Sequence, residues 1–171
     1  SEMCIRDSLY SFAPVTEITA EDIAVTGKAS IGEILLELPS QGSGLSRNYN
    51  NGGSGAVRID MRHLGSGRNL ILVDGRRWVN SGQGANGSVD LNSIPSAMVE
   101  RVEILRDGAS AVYGSDAIAG VINIITKSDY SGTSATYQMG EYFDGGGASE
   151  VMTFTVGESS GNISYVAGVS V

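Results

Sequence analysis

Residues 99–127 read VERVEILRDGASAVYGSDAIAGVINIITK, and their reading decides the fold. Residues 101–106 alternate, with Val102 and Ile104 on one face and Arg101 and Glu103 on the other, the pattern of a half-buried strand. Residues 120–126 form a β-branched run, Gly-Val-Ile-Asn-Ile-Ile-Thr, dense enough to be buried on both faces. Between them Gly108, Ala109, Ser110, Ala111, Gly114, Ala117, Ala119 and Gly120 leave little side-chain bulk. Such a segment turns tightly and lets backbones approach closely, with Tyr113 as its one large anchor.

Working upstream, residues 15–18 read as a short strand, and Thr19 with Asp22 three positions on is a weak capping box. In residues 30–38, Ile31, Ile34, Leu35 and Leu38 share one helical face, Glu33 and Glu37 the other, and Pro39 stops the helix. Residues 41–55, QGSGLSRNYNNGGSG, are a polar loop too long for a simple connector. Residues 57–61 alternate as a strand, with Val57, Ile59 and Met61 opposite Arg58, Asp60 and Arg62. A turn at residues 65–67 leads to NLILV, a buried strand ending at Asp74-Gly75. His63, the only histidine, reads as a satisfied polar residue rather than a ligand. Residues 78–88 are a second polar loop with the sole tryptophan: Trp78 beside amides suits a polar ring-shaped ligand, or packs beneath the loop. Pro95 marks the first turn of a short helix.

Downstream, Thr133, Ala135, Tyr137 and Met139 alternate with small polar residues. Met152, Phe154 and Val156 do the same, then Ile163, Tyr165, Ala167 and Val169. Segments of about ten residues, apolar on one face and small or polar on the other, mark transmembrane β-barrel strands, although a soluble antiparallel sheet alternates alike.

The net charge of −8 argues against a nucleic-acid partner, and 24 glycines with only three prolines suit a β-rich chain. No apolar run approaches the roughly 20 residues of a membrane helix. Cys4 alone can form neither an internal disulfide nor a multi-cysteine metal site. It lies in residues 1–8, SEMCIRDS, which resemble no signal peptide and are set aside as a scar or fragment edge, the mature N-terminus being expected to be missing.

The ordered string Arg106, Gly108-Ala109-Ser110, Tyr113-Gly114 and residues 120–127 resembles the plug domain of TonB-dependent outer-membrane receptors. Residues 59–78, IDMRHLGSGRNLILVDGRRW, are similar to that family's second signature, an Arg-Gly before a turn and then a Leu-Val-Asp-Gly strand end. His63 departs from it, standing where the family usually has glycine. The resemblance implies an α+β plug domain over residues 9–130, with a small mixed twisted sheet and short helices. The first antiparallel strands of a truncated transmembrane β-barrel follow over 131–171. It carries the first helix on into residues 30–38 and places the plug inside a barrel of roughly 22 strands.

By the same resemblance the protein is a nutrient receptor in the outer membrane of Gram-negative bacteria, here as a fragment, without cofactor or resident metal. Its ligand is of the siderophore–iron, cobalamin, oligosaccharide or peptide kind. Its partners are its own barrel wall and the TonB protein, which pairs with an extended N-terminal segment by strand addition. Arg47, Tyr49, Ser66, Trp78 and Gln83 are the implied ligand contacts, on loops 41–55, 65–67 and 78–88 gathered at one end of the sheet. Arg62 and Arg106 match arginines that lock the plug to acidic residues of the barrel wall. Asp74, Gly75, Gly108, Tyr113, Gly114 and Gly120 are the signature positions.

No G-x-S-x-G elbow, phosphate loop, H-E-x-x-H motif or convincing carboxylate pair is present, so transport and binding are expected rather than catalysis. The alternative is a soluble β-rich binding or adhesion module; a hydrolase centred on the Trp78 loop is a third reading.

Overall fold

A computed structural model describes residues 15–28, 30–42, 56–81, 87–106, 110–128, 130–141, 148–160 and 163–170. Among these residues two sheets form. The first contains β1 (Val15–Thr19), β2 (Asn69–Val73), β3 (Arg76–Arg77), β4 (Val99–Leu105) and β5 (Gly120–Thr126), in the order β1-β4-β5-β2-β3. Only β2 and β5 pair in parallel; the other neighbours are antiparallel. The β-branched run is the centre, as its composition requires: Val121, Ile122 and Ile124 are fully buried. One face of the sheet packs Val102, Ile104, Ile122, Ile124 and Ile71 with Ile31, Leu35 and Leu91; the other packs Leu70, Leu72 and Val121 with Ala117 and Tyr113.

Local chemistry sets the connections. Thr19 and Asp22 form a reciprocal capping box at α1 (Ala20–Val25), the Thr19 backbone N–H donating to Asp22 Oδ2 at 3.0 Å. Those hydrogen bonds hold the Asp22 carboxyl below the usual carboxylate range. The helix does not run on into residues 30–38. Gly27, at φ +66°, takes the left-handed conformation that ends α1, and a separate α2 (Ile31–Leu35) starts at Ser30, which caps Gly32 N. The expected helix 30–38 is correspondingly short, because the Glu37 and Leu38 amides bond three residues back and the chain tightens before Pro39. Pro95 caps a 3-10 turn, Ser96–Met98, rather than an α-helical one.

Two further expectations are corrected. Residues 57–61 alternate as read, with Val57, Ile59 and Met61 buried, but they join no ladder of the sheet, Met61 making an isolated antiparallel bridge with Gln41. Side chains substitute for one: Asp90 Oδ1 accepts from Val57 N (3.0 Å), and Asn69 Oδ1 from Met61 N (3.2 Å). Asn69 Nδ2 donates to Ile59 O (3.0 Å). Glu103 is not on a solvated face; it is buried with Asn123. Asn123 Nδ2 donates to Glu103 Oε2 (3.2 Å), Arg101 Nε donates to Glu103 Oε1 (3.0 Å), and Gly75 N donates to Asn123 Oδ1 (3.1 Å). Glu17 on β1 lies directly across from Glu103, with Arg101 Nε 3.8 Å from its carboxylate. Burial works to lower the Arg101 pKa, but the Glu103 hydrogen bond and the charges of Glu103, Glu100 and Glu17 outweigh it and leave it raised.

The second sheet is an antiparallel meander of β6 (Gly132–Glu141), β7 (Ala148–Ser160) and β8 (Ile163–Ser170). Its faces divide as the alternation predicts. Tyr137, Met139, Met152, Phe154, Ile163, Tyr165 and Val169 are exposed, while Val151 and Thr155 on the opposite face are buried. That second face lies on the first unit: Thr155 Oγ1 donates to Ala97 O (3.4 Å), and Gln138 Nε2 to Ala24 O (3.3 Å). A Cβ on Gly168 would stand 2.8 Å from Met98 Cγ and 3.6 Å from Ala97 Cβ, so glycine allows the strand to approach the 96–98 turn. No described helix is long and apolar enough to cross a membrane.

Candidate functional site

The end of the first sheet where β2 and β5 begin and β4 finishes is shaped by turns. Gly65 N donates to Asp60 Oδ1 (2.7 Å), and Asn69 Nδ2 also reaches Gly65 O (3.0 Å), so one buried asparagine ties segment 59–61 to the 65–68 turn. The first loop starts at the same place, with Gly42 N donating to Asp60 O (2.6 Å). Asp74 and Gly75, at φ +49° and +74°, make a two-residue hairpin turn whose left-handed geometry suits the strand twist. The hairpin brings β3 back along β2, and Trp78 N donates to Ile71 O (3.0 Å).

Beside the 65–68 turn, along the edge of β2, lies a cleft of about 350 Å³ whose lining includes Ser66, Gly67, Arg77, Trp78, Asn80, Gly87 and Asp116. Trp78 is 39% exposed, donates through Nε1 to Ser93 Oγ (3.1 Å) and lines the cleft. Arg77 Nη1 pairs with Asp116 Oδ2 at 2.6 Å, and Nη2 donates to Tyr113 O (2.5 Å). This joins the hairpin to α3 (Ser110–Tyr113) and the following 3-10 turn, Ser115–Ala117. An aromatic ring, amides and an accessible ion pair suit a polar ligand with charged groups.

Of the expected ligand contacts, Ser66 and Trp78 line this cleft, whereas Arg47, Tyr49 and Gln83 lie outside the described residues. Gly108 also lies outside them. The remaining signature residues build structure. Asp74 accepts from Thr126 N (2.8 Å) and Thr126 Oγ1 (2.7 Å), closing the hairpin onto β5. Tyr113 packs against the Leu70–Val121 cluster, and Gly114 turns the chain at φ +86°. Gly120, at φ +148°, leaves room for Leu105 O, which a Cβ would meet at 2.8 Å.

The two arginines expected to lock the plug are near the same end. Arg62 is exposed, holds φ +57°, and donates through Nη2 to Ile118 O (2.8 Å). Arg106 follows β4, half-buried, with an Nε that makes no hydrogen bond among the described residues; Arg58 Nε is in the same position. Sequence reasoning missed Arg77, Asp116, Asn80 and Asn69. Asp116 carried a signal, being the sole charged side chain in residues 108–120.

This geometry, a mixed five-stranded sheet with hairpin and small-residue signatures followed by an outward-apolar meander, defines a receptor plug joined to barrel strands. The family model of the TonB-dependent receptor plug domain matches residues 9–121, and the chain belongs to that family. Among solved structures it resembles a mutant ferric enterobactin receptor from Pseudomonas aeruginosa in complex with enterobactin (32% identity, TM-score 0.70), covering 94% of this chain and 24% of that one. The siderophore receptor PirA from Acinetobacter baumannii is 29% identical with a TM-score of 0.66, over 95% of this chain and 25% of that one. The ferric citrate transporter FecA, at 20% identity and TM-score 0.66 over 95% of this chain and 26% of that one, shares the fold. The chain thus spans about a quarter of the receptors it matches.

Proposed function

We propose that this chain is the plug, residues 9–130, and the opening barrel strands, from residue 131, of a TonB-energised nutrient receptor in the outer membrane of Gram-negative bacteria. The observation that carries the reading is the two-sided meander: its small and polar face rests on the 96–98 turn, and its apolar face is left for lipid. In this reading the cleft at Ser66 and Trp78, with loops 41–55 and 78–88, receives an iron–siderophore complex, the ligand class named for the ferric enterobactin receptor and PirA. Arg62 and Arg106 pair with carboxylates of the barrel wall, and for Arg106, whose half-buried Nε makes no hydrogen bond among the described residues, such a partner would offset the cost of an unpaired guanidinium. TonB engages an extended segment preceding β1 by strand addition and rearranges the plug.

The test uses the complete receptor expressed in an outer membrane. Trp78→Ala should weaken uptake of ferric siderophore at low concentration with unchanged receptor abundance; unchanged uptake would leave Trp78 as packing. Arg106→Ala should admit small hydrophilic antibiotics, and Arg106→Lys should restore closure only in part because lysine makes no bidentate pair. A tight, normally transporting Ala variant removes the lock.

A further inference from the structure

We propose that the Arg77–Asp116 ion pair couples occupancy of the cleft to the Arg62 latch, with residues 115–119 as the connecting element. The inference rests on the cleft and latch reading above and adds the link between them. Asp116 lines the cleft and holds Arg77 at 2.6 Å. Two residues on, Ile118 O accepts from Arg62 Nη2 at 2.8 Å, and Ala119 N donates to Arg68 O at 3.0 Å. Arg68 closes the 65–68 turn whose Ser66 and Gly67 form the facing cleft wall. One short segment therefore bonds to the hairpin, to the cleft wall and to a latch arginine through consecutive side-chain and backbone groups. An oxyanion entering the cleft competes with Asp116 Oδ2 for Arg77 Nη1 and with the Tyr113 carbonyl for Nη2, because an oxyanion can accept both N–H groups of the fork at once. Releasing Asp116 frees residues 115–119 to shift, and the Ile118 carbonyl leaves Arg62 with it.

Coupling of this kind is reciprocal, which makes it measurable without knowing the ligand. The experiment is hydrogen–deuterium exchange on the complete receptor in detergent, reading peptides over 60–68, 76–80 and 110–119, with 99–105 as an internal reference. Asp116→Asn should speed exchange at 60–68 as well as at 110–119, by about twofold to fivefold, the range set by an exposed ion pair. Arg62→Gln should speed exchange at 76–80 by a similar factor. Asp116→Glu, which keeps the charge, should leave 60–68 near wild type. Faster exchange confined to 110–119, or an Arg62→Gln effect that stops short of 76–80, overturns the coupling. Antibiotic leakage of the Arg62→Gln receptor is scored separately: exchange coupling without leakage keeps the link and removes the lock, while leakage without coupling does the reverse.

Discussion

Gly120→Ala tests the close approach on which the centre of the sheet depends. The perturbation has two parts. At φ +148° the backbone occupies a region that non-glycine residues reach at about 1–3 kcal/mol. The added Cβ would also stand 2.8 Å from Leu105 O and 2.9 Å from Met61 Cε. Met61 is fully buried and Leu105 O belongs to the neighbouring strand, so only the methionine end can yield, and overpacking of this sort costs about 1–3 kcal/mol. Together the loss is about 2–6 kcal/mol, a large part of the roughly 5–15 kcal/mol that stabilises a typical domain. Gly75→Ala is the matched control: φ is +74° but nothing lies within 4 Å of its Cβ, so only the left-handed backbone cost of about 1–2 kcal/mol applies. Urea unfolding followed by the fluorescence of Trp78, the sole tryptophan, reads both variants. The reasoning fails if Gly120→Ala is no less stable than Gly75→Ala.

Three more outcomes are expected. Ala97→Cys with Gly168→Cys, in a Cys4→Ser background, should oxidise to a disulfide, since the two Cβ positions lie 3.6 Å apart; a free-thiol assay showing two unreacted thiols would place β8 elsewhere. Asp22, whose folded pKa is lowered, contributes stability that is present above its unfolded value of about 3.9 and is lost as pH falls through the lower folded value. Asp22→Asn should flatten that acid limb in circular-dichroism melts, and an unaltered limb would discount the capping box. Ending the chain near residue 131 should raise its solubility by removing the exposed apolar face of β6–β8; equal solubility of the long and short chains counts against a lipid-facing sheet.

The elements legible in the sequence were those whose side chains and backbone tell the same story. Residues 120–126 could be read as a buried strand because five of the seven are β-branched, and residues 151–156 because Met152, Phe154 and Val156 alternate with Val151, Thr153 and Thr155. Residues 57–61 carried the same alternation yet joined no ladder, because period-two burial records which side chains face the core and not what bonds the backbone. Glu103 was misplaced for a related reason: its burial depends on Asn123, 20 residues away, and on Arg101, partners no local pattern reveals. In the site, Trp78 stood out as the sole tryptophan in a polar loop, whereas Ser66 came only from the family resemblance. Arg77 and Asp116, 39 residues apart, meet only through the hairpin. His63 shows how a local substitution is accommodated, for it holds φ +57° next to Arg62 in the same conformation, where a glycine would carry no steric cost.

The polar row crossing the first sheet also acts as a gauge of strand alignment. Glu17, Glu103, Asn123 and Leu72 stand opposite one another on four successive strands. Slipping β4 by one residue would turn Glu103 to the face holding Ile71, Ile122 and Ile124, stranding a carboxylate, and Arg101 with it, among isoleucines without Asn123 in reach. Slipping it by two would keep the face but set the acid against Val121 or Ile125. A run of near-interchangeable β-branched residues can pair in several frames, and one carboxylate with one amide leaves a single frame in which every hydrogen bond closes.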